Sequence, residues 1–346
     1  MEQKSFTSIE GFGHLPQLLE SSGGTRRIER VFVSAGVPLS LAFQAQGWIP
    51  LSAMMSLLER TARELGDDLF GLHLGETMQP ADFGLWASYA QSAADLKTAI
   101  ERGIRTLPFH QSGANMDLEI FDGKARWLYK ILEPISCGRR HHSDHALLPM
   151  LTFMRRYLGP RWVPRRVEVG YDRPLHWRQL EERFGAPVVF ACAADAIVFD
   201  SHLLERRATR KVQAADRFTY SDLRRVASRK PPRNLVDGTR ELIRARLKEP
   251  LTDIEGVARL LNVSRRTLQR ELDEYGLNYR QVLEQVRTER AFDLLIESQD
   301  SITDIALSLG YGDVPSFTRA FRRWKGSPPS DFRRASGHVA AQEPIE

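Results

Sequence analysis

Two cysteines, Cys137 and Cys192, are all that 346 residues contain. They are too few for a disulfide framework and too far apart for a metal-binding cluster, which excludes a secreted, cross-linked scaffold and a zinc ribbon and fits a reducing compartment. No apolar run reaches the 20 or so residues that a membrane-spanning helix needs. The opening MEQKSFTSIEGFG lacks the basic-then-apolar order of a secretory signal. The expected location is the cytoplasm, with no membrane contact. Also missing are a phosphate-cradling GxxxxGK[ST], a GxGxxG at a strand-to-helix junction and a Ser-His-Asp order with a nucleophile elbow. No catalytic residue, resident metal or cofactor is therefore expected, and the chain does not read as an enzyme.

What is present describes a globular protein: 42% apolar and 27% charged residues, in a chain long enough for two domains. The net charge is +5 and the isoelectric point about 9.3, which suggests a polyanionic partner. The excess is local. Ten Lys and Arg stand against three Asp and Glu over 205–233, but seventeen against sixteen over 234–334. The basic stretch can add non-specific phosphate attraction or serve only as a solvated tether. The nearly neutral region after it must read any polyanion through the placement of individual arginines.

That placement is legible in Ser301 to Trp324. Ser301 with Asp304 can cap a helix carrying Ile302, Ile305, Ala306 and Leu309, and Gly310 supplies its stop. Asp313 caps a second helix with Pro315 in its first turn. Phe317, Ala320 and Phe321 face inward there, and Ser316, Thr318, Arg319, Arg322 and Arg323 face outward. A comparable pair lies upstream, where Thr252 with Glu255 is expected to open a helix through Leu261. Asn262-Val263 turns the chain into Ser264–Leu272, whose Leu268 and Leu272 face inward and leave Arg265, Arg266, Gln269 and Arg270 outside. Arginine pairs with guanine and glutamine with adenine in a major groove. Between the pairs, Tyr279 to Glu297 reads as one helix without internal Gly or Pro. At 1.5 Å per residue it spans about 30 Å, close to one turn of duplex DNA.

Around these residues the chain resembles the AraC/XylS family of bacterial transcription regulators. The family's C-terminal domain carries two helix-turn-helix units and ends in a pattern that Ile302, Ile305, Ala306, Gly310, Tyr311, Ser316, Phe317, Arg319, Phe321, Gly326, Pro328, Pro329, Phe332 and Arg333 follow. It departs from the pattern at Gly312-Asp313, where a bulkier loop is common, and at Phe332, where Tyr is usual. The resemblance implies a sequence-specific regulator, activator or repressor according to where its site lies relative to a promoter, with double-stranded DNA and RNA polymerase as partners. DNA-repair fusions of the family need a metal-bound cysteine cluster that two distant cysteines do not supply. A purely architectural DNA binder would not need so large an N-terminal region.

That region reads as α+β. Residues 1–27 show no sustained period and are expected to form an extended arm. Met54, Met55, Leu57, Leu58 and Leu65 give one helix an apolar face, with Ser52 as its cap, and a long helix is expected over about 92–107. From Asn115 the period becomes two, and Asp122-Gly123 between two alternating runs signals a hairpin. A helix from His145 to Tyr157, a strand over 166–171, a helix over 177–184 and strands within 187–199 complete it. The order is similar to the arabinose-binding-type regulatory domain of an AraC-family subgroup that includes ornithine- and arginine-responsive members. Matching phrases are FGLHLG at 70–75, Pro80 to Gly84 and Leu203-Leu204. The resemblance implies an effector-binding or dimerisation role over 28–205. The expected layout is an arm (1–27), an α+β sensor and dimerisation domain (28–205), a basic linker (206–233), an all-α DNA-binding domain with two helix-turn-helix motifs joined by a long helix (234–334), and a disordered tail (335–346). A small-molecule effector and a second copy of the chain join the expected partners.

For the effector, Arg139 or Arg140 can grip a carboxylate. Trp86 and Trp127 can line an apolar pocket or belong to the core. His141, His145, Asp144 and Cys137 allow a metal reading, since residues four apart share a helix face, although a solvated turn accounts for the same polar stretch.

Overall fold

The structure is a computed structural model that describes residues 4–44, 46–135, 137–208, 219–221, 223, 231–247 and 253–340. The chain divides into two compact units, 1–233 and 234–346. The basic stretch assigned to a linker lies largely outside the described residues, as do Thr252 and 341–346.

In the first unit β1 (Phe6–Ser8) leads into α1 (Leu15–Gly23) and α2 (Thr25–Ala35), then β2 (Trp48–Pro50), α3 (Leu51–Leu65), α4 (Phe70–Thr77), α5 (Gly84–Gln91) and α6 (Leu96–Thr106). The hairpin β3 (Ala114–Phe121) and β4 (Lys124–Ile131) follows, with α7 (Arg139–Leu158), β5 (Arg166–Glu168), α8 (Trp177–Phe184), β6 (Val188–Val189) and β7 (Asp195–Asp200) after it. Asp122 and Gly123 both take positive φ, which the tight turn between right-twisted strands requires. The larger sheet runs β3-β4-β7-β5-β6, antiparallel except for β5 beside β6. Alternation on β4 sends Ala125, Trp127, Tyr129 and Ile131 inward, where they join Leu147, Leu151 and Met154 of α7 in the core.

Three expectations are corrected here. The described residues of the expected arm, 4–27, do not form an extended arm: β1 pairs with β2, and Phe6, Ile9, Phe12, Leu15 and Leu19 are buried. Their apolar side chains, scattered without a period, supply burial through a strand, a short helical turn and α1. The long helix starts at Leu96, where Asp95 accepts the Thr98 N–H (2.8 Å). Most consequentially, α7 starts at Arg139 rather than His145, and the stretch that reads as a polar turn is buried. His141, His142, Ser143, Asp144 and His145 are each at most 4% exposed. Several of their polar atoms are matched across the core. Ser143 donates to Asp195 (2.7 Å), Tyr171 donates to Asp144 (2.5 Å), and Gly71 N–H donates to His141 Nδ1 (3.3 Å). Among the described residues no group of His, Cys, Asp or Glu is placed to hold a metal ion.

FGLHLG has a physical reason in this packing. A Cβ on Gly71 would lie 2.3 Å from the His141 carbonyl oxygen, and one on Gly75 3.1 Å from Leu148 Cβ, so α4 and α7 approach at the distance only glycine permits. Gly71→Ala is expected to force them apart and destabilise the protein by about 3 kcal/mol, read as a lowered denaturant midpoint. An unchanged midpoint would show that the helices can separate without loss.

The second unit is helical: α9 (Leu235–Arg246), α10 (Ile254–Leu260), α11 (Arg265–Glu274), α12 (Tyr279–Glu297), α13 (Ile302–Ser308), α14 (Val314–Lys325) and α15 (Pro329–Ala340). α15 runs through 335–340, so that part of the expected disordered tail is helix. Val282, Val286, Ala291 and Leu295 of α12 are buried, as are Leu268 and Leu272 of α11 and Phe317 and Phe321 of α14. Ile296, whose apolar side chain reads as a core residue of that helix, is exposed.

Candidate nucleic-acid interface and ligand cavity

Each recognition helix of the second unit is started by a side-chain cap, which fixes where its outer residues point. Ser264 Oγ accepts the Thr267 N–H (3.0 Å) to begin α11, and Asp313 Oδ1 accepts the Ser316 N–H (2.6 Å) to begin α14. The preceding helices are capped as well. Ser301 accepts from Asp304 N–H (3.1 Å), and Asp253, rather than the expected Thr252, accepts from Gly256 N–H (2.7 Å). The turn of the second pair is held from α12. The Arg287 guanidinium donates to the carbonyls of Leu309 (2.9 Å) and Gly310 (3.1 Å) and lies 4.8 Å from the Tyr311 ring centre. Gly310 sits at φ +75°, and a Cβ there would come within 2.8 Å of the Leu247 carbonyl oxygen, so the turn is seated against the end of α9.

Burial of Leu268 and Leu272 leaves Arg265, Arg266, Gln269 and Arg270 exposed on α11, and burial of Phe317 and Phe321 leaves Arg319, Arg322 and Arg323 exposed on α14. Ser316 and Thr318 are half-buried at that helix's edge. The exposed side chains fall into two groups. Arg265 pairs with Glu255 (2.5 Å), Arg270 lies 3.7 Å from Glu271 and 3.9 Å from Glu274, and Arg323 pairs with Glu284, which also accepts from Trp324 Nε1 (2.8 Å). The Trp324 bond, then Arg323, holds the Glu284 carboxyl below its usual range. Among the described residues Arg319 donates only to Ser316 Oγ (3.0 Å), and the side chains of Arg266, Gln269 and Arg322 make no hydrogen bond or ion pair. Beside α14 a groove of about 250 Å³ is lined by Arg280, Arg287, Arg319 and Arg323 with Glu284 and Tyr311.

The first unit contains a partly open cavity of about 70 Å³, walled by α5, β4, α7 and the segments before them. Phe83, Trp86, Trp127, Tyr129, Met150 and Phe153 make most of its wall, and Thr7, His110, Gln111, His142 and His145 supply its polar atoms. Trp86 stacks on His110 (4.8 Å between centres, 14° between planes) and donates to the Gly103 carbonyl (3.1 Å). Among the described residues no Asp, Glu, Lys or Arg lines the space. Burial depresses His110 to about 3 and His145 to about 4, and pushes His142 well below the usual imidazole range, so all three rings are neutral near pH 7.

Of the four side chains expected around an effector, the structure brings Trp86 and Trp127 to this wall and places Arg139 and Arg140 elsewhere. Arg139 lies 3.6 Å from Asp195, and Arg140 donates to the Asp68 carbonyl (2.8 Å). Buried Asp195 attracts the first, and an exposed carbonyl the second, so neither guanidinium is left for a carboxylate in the cavity. His110, Gln111 and Phe83 are cavity residues that the sequence did not single out, and His142 stood out only as part of a polar stretch; only alternation on β4 and the helical spacing His142-His145-Pro149-Phe153 could have pointed there.

Residues 26–208 match the arabinose-binding domain of AraC transcription regulators, N-terminal part, and residues 257–335 match a helix-turn-helix domain. The chain is 28% identical over 271 residues to an ornithine utilization regulator of Pseudomonas aeruginosa, spanning 78% of this chain and 80% of that one. It is 24% identical over 315 residues to the HTH-type transcriptional regulator VirS of Mycobacterium tuberculosis, spanning 87% and 89%. Over 78 residues, 22% of this chain and 24% of the relative, it is 40% identical to the HTH-type transcriptional regulator VqsM of P. aeruginosa.

Proposed function

The chain belongs to the AraC family of transcription regulators, and on that premise we propose that α11 and α14 read two successive major grooves on one face of a duplex under the control of a small molecule held by the N-terminal unit. That it is a DNA-binding regulator and not an enzyme follows from the family itself. The observation that carries the two-groove reading is α12, 19 residues without Gly or Pro, about 28 Å long and packed so that the two capped recognition helices are joined by one rigid element. Two major grooves on one face of DNA lie about 34 Å apart.

In this reading Arg266 and Gln269 of α11 and Arg319 of α14 contact base edges, helped by Ser316 and Thr318. Arg265, Arg270, Arg322 and Arg323 contact phosphates, and those paired with glutamates exchange one anion for another. The arginine-lined groove beside α14 fits a backbone phosphate. The N-terminal unit, now including residues 4–27 and also 206–208, which bond to Ala94 and Leu96 rather than opening the linker, holds the effector and pairs two copies; the basic stretch after it tethers it to the DNA-binding domain, and RNA polymerase is contacted from the bound promoter in the cytoplasm. Selecting random duplexes with the full chain is expected to return sites with two preferred blocks about ten base pairs apart. A single block would refute the two-groove reading.

A further inference from the structure

We infer that the cavity of the N-terminal unit takes a neutral ligand of about one ring's size that carries a hydrogen-bond acceptor, and that it rejects amino acids, amines and carboxylates. This rests on the reading that the N-terminal unit senses a small molecule, and it names the class of that molecule from the wall of the cavity alone.

The sign of the polar atoms follows from a chain of bonds. Thr7 Oγ1 donates to Gln111 Oε1 (3.2 Å), which turns the Gln111 amide nitrogen toward Tyr129, where Nε2 donates to the phenolic oxygen (2.7 Å). The Tyr129 proton then goes to His142 Nε2 (2.9 Å). A neutral imidazole that accepts at Nε2 carries its proton on Nδ1. His142 Nδ1 is buried with no partner among the described residues, and so is the Nε1–H of Trp127. Both side chains line the cavity and are at most 4% exposed. Two buried N–H donors without acceptors cost free energy that a ligand oxygen would recover.

The absence of charge follows from the same wall. With no ionised side chain among the described residues lining it, a carboxylate or ammonium would lose its hydration without a counterion in the wall itself; Glu10 stands behind that wall, 4.0 Å from His110 Nδ1. The three imidazoles do not substitute, because burial holds them neutral. Size follows from volume and shape: about 70 Å³ is roughly half of the 150 Å³ in which a protein cavity holds benzene, so the space takes part of one ring and its open side takes the remainder of a single-ring ligand. Phe83, Trp86, Trp127 and Phe153 suit the faces and edges of such a ring.

The test uses the full-length chain and four probes at equal concentration. Acetophenone has one ring, one carbonyl acceptor and no charge; ethylbenzene lacks the acceptor; benzoate is charged; L-lysine is charged and has no ring. Binding is followed by tryptophan quenching and by thermal unfolding. Acetophenone is expected to raise the unfolding temperature and to bind at least tenfold more tightly than ethylbenzene or benzoate, with no shift from L-lysine. His142→Phe, which keeps a flat ring and deletes the N–H, is expected to weaken acetophenone about tenfold. Ala146→Phe, at a half-buried wall position, fills the space and is expected to abolish binding, so the site remains testable if one variant folds poorly. Benzoate or L-lysine binding as tightly as acetophenone, and losing affinity in Ala146→Phe, would overturn the ligand class while leaving the sensing role in place. No response to acetophenone would overturn the class as well. Acetophenone binding that both variants leave intact would remove the cavity as its site. Binding that Ala146→Phe abolishes, but that never alters DNA affinity, would leave the class standing and refute the sensing role.

Discussion

A five-base-pair insertion between the two halves of the cognate site is expected to reduce affinity toward that of a single helix-turn-helix, by a factor on the order of a hundred if about two base pairings worth 1–3 kcal/mol each are forfeited. Five base pairs turn the second half by roughly half a revolution, to the far face of the duplex. α12 cannot follow. Its Val282 and Val286 are buried toward one end and Ala291 and Leu295 toward the other, and Arg287 holds the turn of the second motif by two carbonyls. Bending the helix to reach the other face would break that packing. Fluorescence anisotropy at fixed salt checks this, since phosphate attraction alone varies steeply with ionic strength. Undiminished affinity on the spaced site would mean that α12 bends or that α14 never enters a groove.

Arg266→Ala and Arg319→Ala are each expected to cost about 1–3 kcal/mol on the cognate site and to relax sequence preference at one position. Arg266 is exposed and its side chain makes no bond among the described residues, so it is available for a base edge without an exchange of partners. Among the described residues Arg319 gives up only a bond to Ser316 Oγ. Arg322→Ala and Arg323→Ala are expected to weaken all sequences alike and to lower the salt slope by about one for each phosphate left without its arginine. Of these, Arg323→Ala is expected to cost less, because Arg323 must leave Glu284 before it can reach a phosphate. Competition binding against cognate and scrambled duplexes separates the cases. Equal losses on both duplexes for Arg266→Ala and Arg319→Ala would demote both arginines to backbone contacts.

The second unit was readable because its information is local. Capping residues, turn glycines and apolar spacing lie within a few residues of the helices they shape, as at Ser301 with Asp304 and Asp313 with Ser316. What escaped there was tertiary. Arg287 looks like any surface arginine of a long helix until the Leu309 carbonyl lies beside it. The first unit was less legible because its partners are remote in sequence. CGRRHHSDH is polar enough to suggest a solvated turn, yet it is buried because Asp195, Tyr171 and Gly71, between 27 and 70 residues away, bond its side chains. Residues 4–27 lack a period because a strand, a turn and a short helix each contribute only one or two apolar residues to the core. The cavity joins Thr7 to Phe153. Aromatic content hinted at Trp86 and Trp127, but nothing local could show that Arg139 is drawn to Asp195 or that the histidines in the cavity wall are neutral.

Methylation interference at guanine N7 on the complex of the full chain with its selected site tests the two-groove account most directly, because it reports major-groove occupancy base by base. Two interfering segments per bound copy are predicted, about ten base pairs apart on one face, with Arg266→Ala erasing signals from one and Arg319→Ala from the other. A single interfering segment, or two segments that both survive each substitution, would contradict the account.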